Sequence, residues 1–410
     1  MASVLGAAFD TLPASYNSPL HAQGPEPSNG RVPVKRKNAE IEILRAVAVL
    51  LTLVNHLPQL FKWNPHPLGH LEDYVTFWGG VDLFFCISGY VVSKSVFDLL
   101  ESGKASGTFW TAVKSFWLRR AYRLLPSAWF WLAVMVACSI FFNESGAFYP
   151  PFMSIRSALA AVFISSNFAQ TFGAPILPNF VYWSLSLEEQ FYLLLPLFVL
   201  LVPARWRWKA LLFCIAIQFP LQRTLWVDLS WFVRLDALMW GILIFLFSRT
   251  IEYRKLEPRS LKRNSKGWAF SALALLALVT LPQILSPLPF HVGLMAIVCA
   301  GLVAAASYAN GYTIPCGPIR PFLLWIGSRS YAIYLVHIPA YYMTNEIWYR
   351  IAVSHEYAVP DGTYSLRFLL TALPLTFVLA EANYRLIETP FRERGARAAR
   401  AIMSAALPSN

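Results

Sequence analysis

Apolar runs of membrane-spanning length recur along this chain, and several carry charged residues in their interiors. The most informative is Ile43 to Leu57, ILRAVAVLLTLVNHL, which holds a cation at Arg45 and an imidazole at His56. A helix needs about 20 apolar residues to cross the hydrocarbon core. Eleven residues at 100° each return the chain to within about 20° of its starting direction, so Arg45 and His56 share one helix face, roughly 16 Å apart along the axis. Two readings are open. Arg45 can snorkel to the headgroups with His56 at the opposite interface, or both can face a bundle interior, where buried charge marks function.

Further apolar runs lie at about 76–99, 124–142, 183–202, 210–221, 231–248, 268–285, 290–308, 322–343 and 366–387. Only 14% of residues are charged and 57% are hydrophobic, where soluble domains carry roughly 25% charged residues. The mean hydropathy of +0.48 agrees. The expected fold is an all-α polytopic membrane protein rather than a large soluble core. The 34 Lys+Arg against 22 Asp+Glu are explained by basic loops on the cytoplasmic side, so no nucleic-acid partner is implied. Cys86, Cys138, Cys214, Cys299 and Cys316 are scattered without paired spacing. They read as small core residues, not a disulfide framework or a metal site.

Residues 1–37 are polar, Pro/Ser/Gly-rich and basic at their end, and read as a disordered cytoplasmic tail. Residues 38–395 form the expected bundle, and 396–410 a basic cytoplasmic tail. The short apolar segment 154–168 decides the topology. If it does not cross fully, every basic stretch falls on one side, as short-loop charge requires. That choice gives about ten transmembrane helices around an internal cavity, with both termini cytoplasmic. His56, Asp82, Glu188, Glu189 and Asp236 then fall in the outer half. Arg45, Arg119, Arg120 and Arg123 fall at the inner end.

The second run holds GGVDLFFCISGY. Asp82 reads either as a helix-start cap or as an orienting partner for an imidazole, and Gly89 on the same face permits close backbone approach. Ser88 lies on a different face from Asp82. In WSLSLEEQFYLLLPL, Ser186 and Glu189 match a capping box. Glu188 has no such explanation; it sits one turn from Ser184 and from Tyr192, placed to tune a histidine or bind a sugar hydroxyl. Arg120 and Arg123 share a face, either as ordinary positive-inside anchors or as forks for the phosphates of a cytoplasmic donor. Arg234 and Asp236 are two residues apart, so each needs a partner from elsewhere. Ser330, Tyr334 and His337 have helical spacing, and His337, followed by Pro339, reads as a packing histidine. Ser184, Tyr192, Asp236, Tyr334 and His337 are accordingly acceptor-binding or structural candidates. His66, His70, His291 and His355 lie in loops and receive no role.

Taken in order, LRAVAVLLTLVNH, GGVDLFFCISGY, RRAYRLLP, WSLSLEEQFYLLLPL, RLDALMWG, IGSRSYAIYLVHIP and YRLIETPFRERG resemble the acyltransferase type 3 family of integral membrane proteins over most of residues 41–395. Glu42 stands where Asp is common and Asn55 where an aromatic is common. The resemblance implies transfer of an acyl group, often acetyl, from cytoplasmic acyl-CoA to a hydroxyl of a carbohydrate or glycolipid of the cell envelope. It implies a multi-pass protein of the bacterial inner membrane, with acyl-CoA as co-substrate and no tightly bound cofactor. It makes Arg45 and His56 the essential pair, and Arg120 and Arg123 the Arg-x-x-Arg motif. The end of the chain soon after Arg400 suggests the form without an extracytoplasmic hydrolase-like domain. His56 is then expected as general base or transient acyl carrier, oriented by Asp82 or Glu188, with Arg45 steering the donor. The rival class is a proton-coupled transporter, which uses the same buried charges; no pair of similar Gly/Pro-broken halves supports it.

Overall fold

Helix α1, Ala39–Asn55, starts where Asn38 turns its side-chain oxygen onto the backbone N–H groups of Glu40 and Ile41. Such a cap satisfies donors that a helix start otherwise leaves open. The computed structural model describes residues 38–63, 69–173, 176–223, 229–262, 265–313, 317–355, 359–360 and 362–406. The expected tail 1–37, His66 and Cys316 lie outside the described residues. Glu40 accepts from the N–H groups of Gly311 and Thr313 and from the Thr313 hydroxyl, tying the start of α1 to a distant loop.

The other principal helices are α2 Gly79–Ala105, α3 Phe109–Phe141, α4 Pro151–Val162, α5 Tyr182–Leu201, α6 Arg207–Gln218 and α7 Asp236–Phe247. They continue with α8 Ser265–Ile284, α9 His291–Ser307, α10 Arg320–Ser328, α11 Ser330–Ser354, α12 Ser365–Asn383 and α13 Thr389–Ala405. No strand occurs among the described residues. Six helical stretches there are long and apolar enough to cross a membrane: Gly79–Ala105, Phe109–Phe141, Tyr182–Leu201, Leu229–Phe247, Lys266–Ile284 and Gly362–Ala405. The protein is membrane-embedded and all-α.

The expected runs differ from the helices at identifiable places. The first apolar run is not one helix: α1 ends at Asn55, and Leu57–Leu60 forms a separate turn. Pro58 disfavours helical backbone at the residue before it. The run 322–343 is divided at Arg329 between α10 and α11. α6 has 12 residues, a rise of about 18 Å at 1.5 Å per residue, well short of a hydrocarbon core about 30 Å thick. The segment 154–168 falls in α4, also 12 residues, followed by a separate short helix Ser166–Thr171. Neither piece is long enough to span. At the C-terminal end the expected boundary at 395 falls inside α13. Ser115 donates to the Ala399 carbonyl and Gly395 lies against the ring of Tyr122, so α13 packs on α3 rather than trailing as a tail.

Two apolar clusters form the interior. One surrounds α2, α7 and α9; the other joins α1, α11, α12 and part of α3. Phe84 and Tyr331 pack against both, so the seam between the clusters runs past α2 and α11. Along α2 the close approach expected at Gly89 is present. A Cβ there would overlap the Leu238 carbonyl, and one on Gly241 of α7 would overlap the Cys86 carbonyl. Gly89→Ala is therefore expected to destabilise the bundle by about 1–3 kcal/mol or more, the cost of overpacking where backbone cannot yield. A lowered thermal midpoint of the detergent-extracted chain, followed by size-exclusion chromatography, measures it.

Candidate functional site

Three arginines from two helices point into one cavity at that seam. Its volume is about 80 Å³, and Arg45 of α1 with Arg120 and Arg123 of α3 line one part of it. Arg45 has Glu42 3.6 Å away. Among the described residues Arg120 and Arg123 form no salt bridge, and the Arg123 Nε is buried without a hydrogen-bond partner. The Arg120 guanidinium lies 4.9 Å from the Tyr192 ring centre and 5.8 Å from that of Phe116. Aromatic faces hold the cation while leaving its N–H groups free for an anion.

In the same cavity, Ser88 of α2 and Glu188 and Tyr192 of α5 form a polar knot. The Ser88 and Tyr192 hydroxyls both donate to the Glu188 carboxylate, and lie 2.8 Å from each other. Glu188 was expected beside His56 in the outer half. The structure instead places it in the arginine cavity, because α3 is long: Arg120 sits eleven residues into a 33-residue helix, about 16 Å along its axis, deep enough to meet α5. The capping box expected at Ser186 and Glu189 is also absent. α5 begins at Tyr182, so both residues lie inside the helix, and the Ser186 hydroxyl accepts from the Ser166 N–H.

Ser184 and Tyr334 also line the cavity. Their hydroxyls are 2.6 Å apart, and the Tyr334 hydroxyl also donates to the Val181 carbonyl at 2.9 Å. Behind Tyr334, one turn further along α11, lies His337. Its Nδ1 is 2.7 Å from the Tyr334 carbonyl oxygen, and its Nε2 is 2.8 Å from Nδ1 of His56. The two imidazole planes are 12° apart, and the edge of Phe180 closes the other side of His56. His337 is thus not a mere packing residue. α11 clamps the end of α1 around this pair. Tyr341 donates to the Leu53 carbonyl, Tyr342 to the Gln59 side chain, and Asn345 to the Gln59 carbonyl. His337 is fully buried, while His56 is only partly so.

Asp82 does not serve His56. It pairs with Arg234 at 3.2 Å, both side chains being wholly buried, and Asp236 pairs with Arg223 at 2.8 Å. Arg234 stacks 3.7 Å from the centre of the Trp231 ring, with Trp78 and Trp183 on its other sides. This ionic group joins α2 to the chain around α7. Arg234 and Asp236 find the outside partners their spacing demanded.

A family model described as an acyltransferase domain matches residues 38–381. The chain belongs to the acyltransferase type 3 family. It is 28% identical over 387 residues to a peptidoglycan O-acetyltransferase OatA of Listeria monocytogenes, an alignment covering 87% of this chain and 56% of that protein. It is 27% identical over 398 residues to an O-acetyltransferase OatA of Staphylococcus aureus, covering 87% and 57% respectively. The chain therefore spans about half the length of the curated relatives it matches. No solved structure matches it.

Of the residues that family resemblance singled out, Arg45, Arg120 and Arg123 converge on the cavity, and His56 stands beyond its Tyr334 wall. Sequence reasoning missed Ser88 as a cavity residue and His337 as the partner of His56. Ser88 and Glu188 are 100 positions apart, and His56 and His337 are 281 apart, so no local spacing joins them. The helical spacing of Tyr334 and His337 was the available signal. It placed one behind the other without showing what they faced.

Proposed function

We propose that this chain is a membrane-bound O-acyltransferase that moves an acyl group, in the first instance acetyl, from cytoplasmic acyl-CoA to a hydroxyl of an envelope carbohydrate or glycolipid. It acts in the bacterial inner membrane as an all-α bundle. The supporting observation is a cavity lined by three arginines and by Tyr334, whose carbonyl is joined through His337 to His56. Arg120 and Arg123, which form no salt bridge among the described residues, suit the phosphates of a polyanionic donor. Arg45 sits where the donor's thioester arm would run.

His56 acts as general base. It takes the proton from the acceptor hydroxyl as the oxygen attacks the thioester carbonyl carbon. The new C–O bond forms, the C–S bond breaks, and the departing CoA sulfur recovers a proton from the imidazolium. For the donor to reach His56, the Ser184–Tyr334 contact must part.

The purified full chain in proteoliposomes, given acetyl-CoA and soluble peptidoglycan oligosaccharides, should release CoA thiol in step with acetylated glycan found by mass spectrometry. Solute uptake with no thioester cleavage would overturn the reading in favour of a carrier. Replacing Arg120 and Arg123 together with alanine should raise KM for acetyl-CoA about tenfold to a hundredfold. Hydrogen bonds to charged groups contribute about 1.5–3 kcal/mol, and about 1.4 kcal/mol is tenfold in affinity.

A further inference from the structure

We infer that His337 is a positioning residue that sets the tautomer of His56, making Nε2 of His56 the basic atom and fixing the edge from which the acceptor hydroxyl approaches. The inference rests on the reading of His56 as the base. It follows from a chain of hydrogen bonds with one consistent direction. A carbonyl oxygen only accepts, so the Tyr334 carbonyl, 2.7 Å from His337 Nδ1, requires a proton on that nitrogen. A neutral imidazole has one donor and one acceptor nitrogen. His337 Nε2 is therefore an acceptor, and His56 Nδ1, 2.8 Å away, must donate to it. The remaining nitrogen of His56, Nε2, carries the lone pair.

Which imidazole nitrogen is protonated is set by the bond the other makes. Free neutral histidine side chains favour the proton on Nε2, the tautomer that would leave His56 no lone pair at its open edge. The Tyr334 carbonyl is thus the origin of the order. The Tyr341 bond to the Leu53 carbonyl holds the end of α1 close enough for the pair to form. With Nδ1 committed to His337, the acceptor hydroxyl has to reach His56 from the side away from α11.

Nitrogen-15 NMR of the full chain labelled with [¹⁵N]histidine tests the inference without requiring turnover, the His56 signals being assigned by their loss in His56→Ala. In the unsubstituted chain, and in His337→Gln, whose amide oxygen can accept from Nδ1, His56 should show a protonated Nδ1 and an unprotonated Nε2. In His337→Phe the proton should move to Nε2. A protonated Nε2 in the unsubstituted chain overturns the inference, as does an unchanged tautomer in His337→Phe. The kinetic arm uses membrane vesicles given labelled acetyl-CoA. His337→Phe should lower kcat by about 10²–10⁴-fold, the range of general-base catalysis, with KM for acetyl-CoA unmoved. His337→Gln should recover to within about tenfold of the unsubstituted rate, a deficit near 1.4 kcal/mol. Full activity in His337→Phe beside a dead His56→Ala sinks the positioning role alone. Full activity in His56→Ala sinks the underlying reading.

Discussion

Replacing His56 with alanine should lower acyl transfer by about 10²–10⁴-fold, the contribution general-base catalysis typically makes, while the chain still accumulates in the membrane. The two outcomes separate because of where His56 sits. It follows the last residue of α1, and its backbone N–H bonds to the Thr52 and Leu53 carbonyls survive the substitution. The clamp from Tyr341, Tyr342 and Asn345 onto Leu53 and Gln59 does not use the imidazole. What disappears is the proton acceptor and the partner of His337. The measurement is acetyl transfer from labelled acetyl-CoA, normalised to the amount of folded chain in the membrane. A rate equal to that of the unsubstituted protein would remove His56 from the mechanism.

Substitution of Asp82 should have an equally large effect of a different kind. Asp82→Ala leaves the Arg234 guanidinium wholly buried without its carboxylate, and breaking a buried pair from one side costs about 3–5 kcal/mol. That is comparable with the whole stability of many domains, about 5–15 kcal/mol. The expected result is loss of folded chain rather than loss of chemistry. The companion substitution decides the point. Asp82→Ala combined with Arg234→Met removes both charges and should recover much of the folded yield, because an uncompensated charge, not a lost contact, is the source of the cost. Yields are compared by size-exclusion chromatography after detergent extraction. If the double variant is no better folded than Asp82→Ala, the pair is not a closed structural unit. If Asp82→Ala folds normally but loses transfer, Asp82 acts in the chemistry after all.

Such a contrast shows which parts of the site a sequence can disclose. The shared face of Arg120 and Arg123 and the close approach at Gly89 were legible, because each depends on helical periodicity within one segment. The need of Arg234 and Asp236 for outside partners was legible for the same reason. The identity of those partners was not. Asp82 stood as a plausible companion of His56 by residue type, yet the folded chain gives it to Arg234. Glu188 likewise went to Ser88, Tyr192 and the arginine cavity. His337 looked like packing from its tyrosine and proline neighbours, and only the arrival of α1 beside α11 makes it the partner of His56.

The amino-acid sequence by itself determined that the chain is an all-helical membrane protein and the family to which it belongs. These follow from apolar length, helical period and the order of motifs, all of them properties of contiguous residues. The tertiary structure alone decided which of the buried groups meet. Burial favours a partner for each charge and imidazole, but the choice among candidates depends on how helices far apart in the chain are staggered against one another. A displacement of one helical turn, about 5.4 Å, exceeds the length of any hydrogen bond, so the pairing of His56 with His337 and of Asp82 with Arg234 is a property of the packed bundle.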